Sequence, residues 1–389
     1  MKLYDAIVVG AGLAGLQCTR LLAGHGLEVA LVDRKQSLAE GVHTTGIFVR
    51  RSLEDFALPA AHMGPAIRDV TIYSPSRRTV ELKSPHEEFR IGRMGPLYER
   101  LLKDCRAAGA DWLAGTSFVR ASEHSLGSTV RLRGASGEFE LQTRMIVIAD
   151  GTNSRVAREL RLSENRRWIV GYEEVYHRET FSGEPRLHCF FDRNYAPGYI
   201  AWVADDGQGL HLGVGGYGRK FQPPAALDRF RDSIAELIPL DEATLIERRG
   251  GRIPVGSVLP RLACRRGLLL GDAAGAVSPL TAGGLDPCLR LSELAAKTVH
   301  AFLKSGGDAS HLAAYDGRVF RKRYRARRAL RAVYDLAGSN TILELGFRVL
   351  RSTAGQAIAR RIFFGNGSFP TITAPEFHAA RAKAVRTTT

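Results

Sequence analysis

The N-terminal 33 residues carry a strand, a glycine turn, a helix, a second strand and an acid, in that order. An apolar run at residues 5–9 leads into Gly10-Ala-Gly12-Leu-Ala-Gly15, and a second apolar run at residues 27–32 ends at Asp33. Gly10 permits the tight turn, Gly12 lets the backbone approach a pyrophosphate, and Gly15 lets the helix lie close to the strand. Asp33 is placed to accept hydrogen bonds from ribose hydroxyls. The segment therefore predicts a Rossmann-type βαβ unit that binds a dinucleotide, either NAD or FAD.

Two later segments repeat the pattern of a buried strand followed by a glycine turn with an acid. Residues 144–149 form an apolar strand that runs into Asp150-Gly151 and a helix start. Residues 267–270 form another, which runs into Gly271-Asp272 and the sequence Ala-Ala-Gly. Asp286 followed by Pro287 then predicts a helix capped by Asp286 that continues to about residue 303.

These motifs together resemble the FAD-binding set of the p-hydroxybenzoate hydroxylase superfamily. The late G-D-A-A-G motif resembles that of its geranylgeranyl reductase branch, and the motifs extend from residue 7 to about 303. The resemblance implies an α/β fold with a Rossmann-type FAD-binding domain, an inserted β-rich substrate domain and C-terminal helices. It implies FAD-binding segments at residues 1–165 and 250–310, a substrate domain at 166–249 with part of 60–90, and a basic helical region at 311–389.

The resemblance also implies which residues bind the cofactor. Asp272 would bind the ribitol of FAD, and the start of the helix near residue 286 would face N1 and O2 of the flavin, where its partial positive charge stabilises the reduced ring. The full implied set is Gly10, Gly12, Gly15, Asp33, Thr45, Gly46, Arg93, Val119, Asp150, Gly151, Gly271, Asp272, Pro279, Gly283, Gly284 and Leu285.

Two of the implied cofactor positions, and His43 as a candidate catalytic residue, have competing interpretations. Arg93 matches an arginine at the start of a helix beneath FAD, with Arg90 as the nearby alternative. Val119 is favoured over Phe118 as the residue whose backbone reads the adenine edge. His43 lies in the loop expected to line the flavin. Its imidazole is either a proton donor or an ordinary hydrogen-bonding loop residue.

The segment from residue 170 to 218 has the short, alternating apolar runs of antiparallel strands. The family's reductases often carry a Y-x-W-x-F-P pattern that faces the substrate, and this chain matches it only in part, without the F-P. Tyr199 and Trp202 are the candidate substrate residues. The glycine-rich run at 213–218 lacks a following helix and acid, which favours a strand end over a second nucleotide site.

The implied activity is that of a FAD-dependent oxidoreductase. In the leading interpretation, NAD(P)H or another donor reduces the flavin, which passes hydride to a double bond of an apolar substrate. One alternative is a flavin-dependent monooxygenase acting on an aromatic or olefinic substrate, and another is an electron-transfer flavoprotein. The cofactor motifs alone do not separate the first two.

The amino-acid composition limits which cellular compartment and which binding partners are expected. The five cysteines are scattered without a C-x-x-C pair, which predicts neither disulfides nor a metal site and favours the cytoplasm. The sequence contains no run of 18 apolar residues, so it predicts no membrane-spanning helix. Residues 318–389 hold 15 Lys or Arg against three acids, so the rest of the chain is nearly neutral and nucleic acid is not expected to bind.

The basic segment at residues 318–331 is predicted to form an amphipathic helix. An apolar stripe of Ala326, Leu330, Val333, Tyr334 and Ala337 would pack on the FAD domain, and the basic side would face outward. That basic face is either simply solvated or attaches peripherally to an anionic membrane surface. The sequence predicts no particular oligomeric state.

Overall fold

A computed structural model of the protein describes residues 2–177, 184–217, 221–238, 240 and 243–364. The strands are β1 Leu3–Val9, β2 Val29–Val32, β3 Ile47–Val49, β4 Asp69–Tyr73, β5 Thr79–Leu82, β6 Phe89–Ile91, β7 Asp111–Leu113, β8 Ser117–His124, β9 Gly127–Gly134, β10 Gly137–Ile148, β11 Trp168–His177, β12 Arg186–Phe190, β13 Ala201–Asp205, β14 Gly209–Gly216, β15 Thr244–Pro254, β16 Ala263–Cys264 and β17 Gly267–Leu269. The helices are α1 Leu13–Gly24, α2 Arg50–Asp55, α3 Met94–Ala107, α4 Arg155–Glu159, α5 Pro223–Ser233, α6 Leu285–Lys304, α7 Ala309–Ala314, α8 Arg318–Arg323, α9 Arg325–Leu336, α10 Asn340–Leu350 and α11 Thr353–Phe363.

The first sheet is built on the apolar strands that the sequence predicts. Its order is β16-β17-β10-β1-β2-β7, and β8 and β9 extend it from β10. Strands β17, β10, β1, β2 and β7 run parallel. Since carboxyl ends of parallel strands meet at one edge, the turns after β1, β2, β10 and β17 come together there. This edge gathers Gly10, Asp33, Asp150 and Gly271.

The close approach of α1 to β1 depends on two glycines. Gly10 has a positive φ of 106°, and a Cβ on it would lie 2.2 Å from the carbonyl oxygen of Ala149. A Cβ on Gly15 would lie 1.8 Å from the carbonyl oxygen of Gly10. A side chain at either position would therefore clash with the backbone unless the turn or the helix shifted.

The second sheet has the order β15-β11-β14-β13-β12-β4-β5. Its strands pair antiparallel except for β12 and β4, which run parallel. Strands β11 to β14 correspond to the short runs predicted between residues 170 and 218, although Gly218 itself lies outside the described residues. The presence of β4 and β5 in this sheet accords with the expected contribution of residues 60–90, while the domain boundaries remain a prediction.

The basic segment differs from its predicted packing. It forms two helices, α8 and α9, that are separated at Tyr324, and Leu330 and Val333 of the predicted apolar stripe are 41% and 65% exposed. The buried residue of α9 is Arg331. Polar contacts orient the helix: the Tyr334 hydroxyl donates to the carbonyl oxygen of Tyr199 at 2.5 Å. The expectation that the stripe packs on the FAD domain is therefore wrong.

Residues 365–389, which complete the predicted basic region, lie outside the described residues. Within the described ranges, no helix combines the length and apolar character needed to cross a membrane.

Candidate active site

One large cleft runs from the glycine turns of the first sheet to the second sheet and the C-terminal helices. Its volume is about 1360 Å³, larger than the roughly 300–1,000 Å³ of an ordinary ligand pocket. The cleft is therefore large enough for a dinucleotide together with a second ligand.

Most of the residues predicted from sequence line this cleft. Those that line it are Gly10, Gly12, Asp33, His43, Thr45, Gly46, Asp150, Gly151, Tyr199, Trp202, Gly271, Asp272, Gly283, Gly284 and Leu285. Those that do not are Gly15, Arg93, Val119 and Pro279.

The predicted residues outside the cleft wall have identifiable positions. Arg93 precedes α3 and donates through Nη2 to the carbonyl oxygen of Ala61 at 2.6 Å. In β8, Phe118 lines the cleft and its neighbour Val119 does not; the pairing of β8 with β9 shifts register between Phe118 and Arg120. Gly15 lies beneath the turn, where it lets α1 approach β1.

The turn after β1 has the features of a phosphate cradle. Gly12 is the N-cap of α1 and provides no side-chain cap for the first backbone N–H groups. A Cβ on Gly12 would meet no protein atom within 4 Å, so the backbone there borders open space. The Asp33 carboxylate accepts hydrogen bonds from the backbone N–H of Ala11 at 2.7 Å and of Lys35 at 2.9 Å, which fixes the turn against β2. A helix N-terminus with free N–H groups suits the pyrophosphate of FAD.

The carboxyl groups of Asp150 and Asp272 both border the cleft. Burial raises the pKa of Asp272 to about 6. Burial also raises the pKa of Asp150, whose Oδ1 has no hydrogen-bond partner among the described residues. Buried polar groups are normally satisfied. The hydroxyls and amides of FAD are the kind of donors that Asp150 Oδ1 lacks, and Asp272 borders the same cleft, so the residues present fit the cofactor.

Helix α6 starts two residues earlier than its sequence predicts, at Leu285 rather than at Pro287. Its N-cap is Gly284, so the expectation that Asp286 caps it is wrong. The Asp286 carboxylate is instead bound by Ser52 Oγ at 2.9 Å and by Arg290, whose Nη2 lies 2.9 Å from Oδ1. Because this side chain is engaged elsewhere, the N–H groups at the start of α6 are not capped by it and border the cleft beside Gly283 and Gly284.

His43 lies at the cleft with a ring nitrogen 3.0 Å from the carbonyl oxygen of Gly250. Burial, together with the nearby Lys35, lowers the pKa of His43. The imidazole is therefore mainly neutral at pH 7, and its role as proton donor remains a prediction.

Tyr199 and Trp202 stand together where the second sheet meets the cleft. Their rings are arranged edge to face with centroids 6.3 Å apart. The Tyr199 hydroxyl donates to the carbonyl oxygen of Thr281 at 2.6 Å, and Trp202 Nε1 donates to Glu173 Oε2 at 3.0 Å. Sequence reasoning missed Glu173, although two adjacent glutamates inside an otherwise apolar strand were a signal for it.

The far end of the cleft is apolar. The side chains lining it come from the second sheet and from α10 and α11, a contribution that sequence reasoning did not assign to the site. They include Ile72, Leu187, Phe191, Phe347, Leu350, Ile362, Phe363 and Phe364.

Comparison with known proteins agrees with this geometry. The profile of a family described as FAD binding domain matches residues 3–331. The chain is 29% identical to a geranylgeranyl diphosphate reductase of Rhodobacter capsulatus over 79% of this chain and 77% of that protein. It is 26% identical to a digeranylgeranylglycerophospholipid reductase of Methanocella arvoryzae over 81% and 82% of the two chains.

A solved structure shares the fold. It is a geranylgeranyl bacteriochlorophyll reductase-like protein from Thermoplasma acidophilum, with a TM-score of 0.81 and 19% sequence identity. The superposition covers 94% of this chain and 98% of that one.

Proposed function

The chain belongs to the FAD-binding-domain family and is a geranylgeranyl reductase-like, FAD-dependent oxidoreductase, and we propose that it reduces a carbon–carbon double bond of an apolar, isoprenoid-type substrate. The observation that carries the proposal is the continuity of the cleft. Its phosphate cradle and its apolar end belong to one cavity, so cofactor and substrate would meet inside it.

Bound FAD would accept electrons from NAD(P)H or another donor and deliver a hydride to the substrate. The N–H groups at the start of α6 would stabilise negative charge next to Gly283 and Gly284, which have no side chains to block them. Tyr199 and Trp202 would hold the double bond in place, and the apolar side chains of α10 and α11 would exclude water.

A long isoprenoid chain suits the apolar end of the cleft. Two relatives of this chain are named for geranylgeranyl substrates. The substrate in one name is a diphosphate, and the substrate in the other is a glycerophospholipid. Arg323 and Arg327 also line the cleft, which would give an anionic head group cationic partners.

The test is anaerobic single turnover. Enzyme reduced with dithionite is mixed with geranylgeranyl diphosphate without oxygen, and we expect the flavin to reoxidise as a product heavier by two hydrogens per reduced bond appears in the mass spectrum. Product that forms only with oxygen and carries one oxygen atom would instead establish the monooxygenase alternative. Flavin that passes electrons to a protein and to no small molecule would establish the electron-transfer alternative.

We also propose that the C-terminal helices attach to an anionic membrane surface, from which a lipid substrate would enter the cleft. The exposed side chains of α9 and α10 include Leu336, Leu345 and Val349, which are 81%, 61% and 65% exposed. Arg325 and Arg328 are exposed on α9 as well. An apolar surface next to arginines is typical of peripheral membrane attachment.

Vesicle co-sedimentation tests the attachment. We expect binding to phosphatidylserine vesicles that weakens with salt and is lost in a Leu336→Glu, Val349→Glu double variant. Leu126→Glu is the matched control, because Leu126 is 65% exposed in the β8–β9 turn, away from these helices. Binding that fails at low salt, or that the control loses equally, would contradict the proposal.

A further inference from the structure

Behind the cleft wall lies a buried histidine between two carboxylates. His211 of β14 is fully buried, and Glu173 and Asp206 are 3% and 6% exposed. His211 Nδ1 lies 2.9 Å from Glu173 Oε1, and His211 Nε2 lies 3.2 Å from Asp206 Oδ2. Burying three ionisable groups costs free energy of desolvation unless they pair with one another, so such a trio is uncommon in a protein interior.

The pairing of the strands accounts for this convergence. Glu173 is opposite Gly213 in β14, and Trp202 of β13 is opposite Gly213 from the other side. A Cβ on Gly213 would lie 2.1 Å from the Trp202 indole, so the missing side chain makes room for the ring to reach Glu173. His211 is two residues from Gly213 and therefore projects from the same face of the sheet.

Glu173 connects the trio to the cleft. Its Oε2 accepts hydrogen bonds from the Thr45 hydroxyl and from Trp202 Nε1. Thr45, Glu173 and Trp202 line the cleft, whereas His211 and Asp206 do not. A continuous path therefore leads from the buried imidazole through Glu173 to a hydroxyl at the cleft surface.

The charges around the trio keep its histidine protonated. Burial alone would lower the pKa of His211, but attraction to Glu173 and hydrogen bonds with Asp206 and Glu173 outweigh it and raise the pKa to about 9. His211 in turn lowers the pKa of both carboxyl groups against the effect of burial. The other charged groups facing the trio are Arg249, 3.5 Å from Glu173 Oε1, and Asp205.

Backbone contacts hold Asp206 in place. Its Oδ1 accepts from the N–H groups of Gln208 and Gly209 at 2.9 and 2.6 Å. Arg93 Nη1 lies 3.5 Å from the Asp206 carbonyl oxygen, which gives that predicted cofactor residue a contact with the trio.

We propose that Asp206, His211 and Glu173 form a proton relay that supplies Thr45 as the proton donor in the proposed reduction. The inference rests on the proposed function, in which one alkene carbon receives a hydride and the other must receive a proton. His211 Nδ1–H first transfers its proton to the Glu173 carboxylate, and the carboxylic acid so formed turns to donate to the Thr45 oxygen. The Thr45 O–H bond then breaks as the new C–H bond forms, and Thr45 takes the proton of Glu173, which becomes a carboxylate again. His211 is left neutral and regains its proton from solvent, while a reduced nicotinamide or another donor supplies the two electrons.

In this relay Thr45 is the catalytic residue, and Glu173, His211 and Asp206 act through it. The relay differs from the His43 hypothesis in a measurable way. Because the pKa of His43 is lowered, a reaction that uses its proton slows as pH rises through the acidic to neutral range. A reaction supplied by His211 keeps its rate until pH approaches 9.

The first experiment does not depend on turnover. Histidine labelled with ¹³C at Cε1 is followed by NMR in the FAD-loaded enzyme, and we expect one of the 11 histidines to titrate near pH 9. That signal should vanish in His211→Asn and move to lower pH in Glu173→Gln. Glu174→Gln is the matched control, since Glu174 is buried on the same strand but bound to Arg231 and Arg248 away from the cleft. The absence of any histidine that titrates above pH 8 would overturn the relay.

The second experiment measures proton delivery. Reduced enzyme is mixed anaerobically with geranylgeranyl diphosphate, and Thr45→Val should slow reoxidation by about 100-fold and His211→Asn by about tenfold, with FAD still bound. Thr45→Ser, which keeps a hydroxyl, should recover most of the rate that Thr45→Val loses, and Glu174→Gln should keep the wild-type rate. If Thr45→Val or His211→Asn reoxidises at the wild-type rate, the relay is wrong but the proposed function stands. If the flavin of the wild-type enzyme is never reoxidised by the substrate, the proposed function is wrong.

Discussion

Gly12→Val should separate cofactor binding from folding. Gly12 has a φ of −74°, which valine adopts readily, and a Cβ there would meet no protein atom within 4 Å. The new side chain would fill the space next to the N-terminus of α1 and displace the FAD pyrophosphate from its N–H groups. Loss of two charge-assisted hydrogen bonds at about 1.5–3 kcal/mol each weakens FAD binding by about 3–6 kcal/mol, roughly 10² to 10⁴-fold in Kd.

The assay is fluorescence titration of the apoprotein with FAD, combined with urea unfolding of the same sample. Valine in place of the N-cap glycine should cost about 1 kcal/mol or less of unfolding free energy. Gly24→Val is the control, because Gly24 is also on α1 and its Cβ would also meet nothing, but it lies away from the cleft. A Gly12→Val protein that binds FAD as tightly as the control would refute the placement of the pyrophosphate.

Three further substitutions test the surroundings of the cleft. Gly15→Ala puts a Cβ 1.8 Å from a backbone oxygen, so thermal unfolding of the apoprotein should show a loss of about 1–3 kcal/mol, and an unchanged Tm would contradict the packing of α1. Because burial raises the pKa of Asp272 to about 6, the folded apoprotein holds a proton that the unfolded chain releases above its ordinary pKa. The apoprotein should therefore lose up to about 3 kcal/mol of stability as pH rises from 4 to 6, and Asp272→Asn should remove that loss in urea unfolding at each pH. Arg290→Met removes the common partner of the buried Asp286 and the half-buried Asp55, so urea unfolding should show a cost of about 3–5 kcal/mol, and a cost below 1 kcal/mol would show that the carboxylates find other partners.

The glycine turns were predictable because the backbone geometry that requires glycine involves only residues close together in sequence. A chain that must turn sharply at Gly10 and bring a helix against it at Gly15 can use few residues other than glycine, so the spacing alone shows the geometry. The parallel strands then place Asp33 and Asp150 at the same edge of the sheet.

The buried trio was not predictable, since it depends on strand register. Glu173 and His211 are 38 residues apart in sequence and meet only because β11 pairs with β14 in one particular register. An error of one residue in that register would direct their side chains to opposite faces.

The orientation of α9 was not predictable for a related reason. Amphipathic spacing identifies an apolar side of a helix, but it does not tell whether that side meets a core or a cavity. Here Leu330 and Val333 border the cleft and Arg331 faces inward, with its guanidinium 5.2 Å from the Tyr217 ring.

The flavin content of the purified protein tests the central claim most directly. Protein isolated without added cofactor should be yellow, and acid or heat should release FAD at one molecule per chain, identified by mass spectrometry. Colourless protein that also takes up no FAD when the cofactor is added would contradict the account.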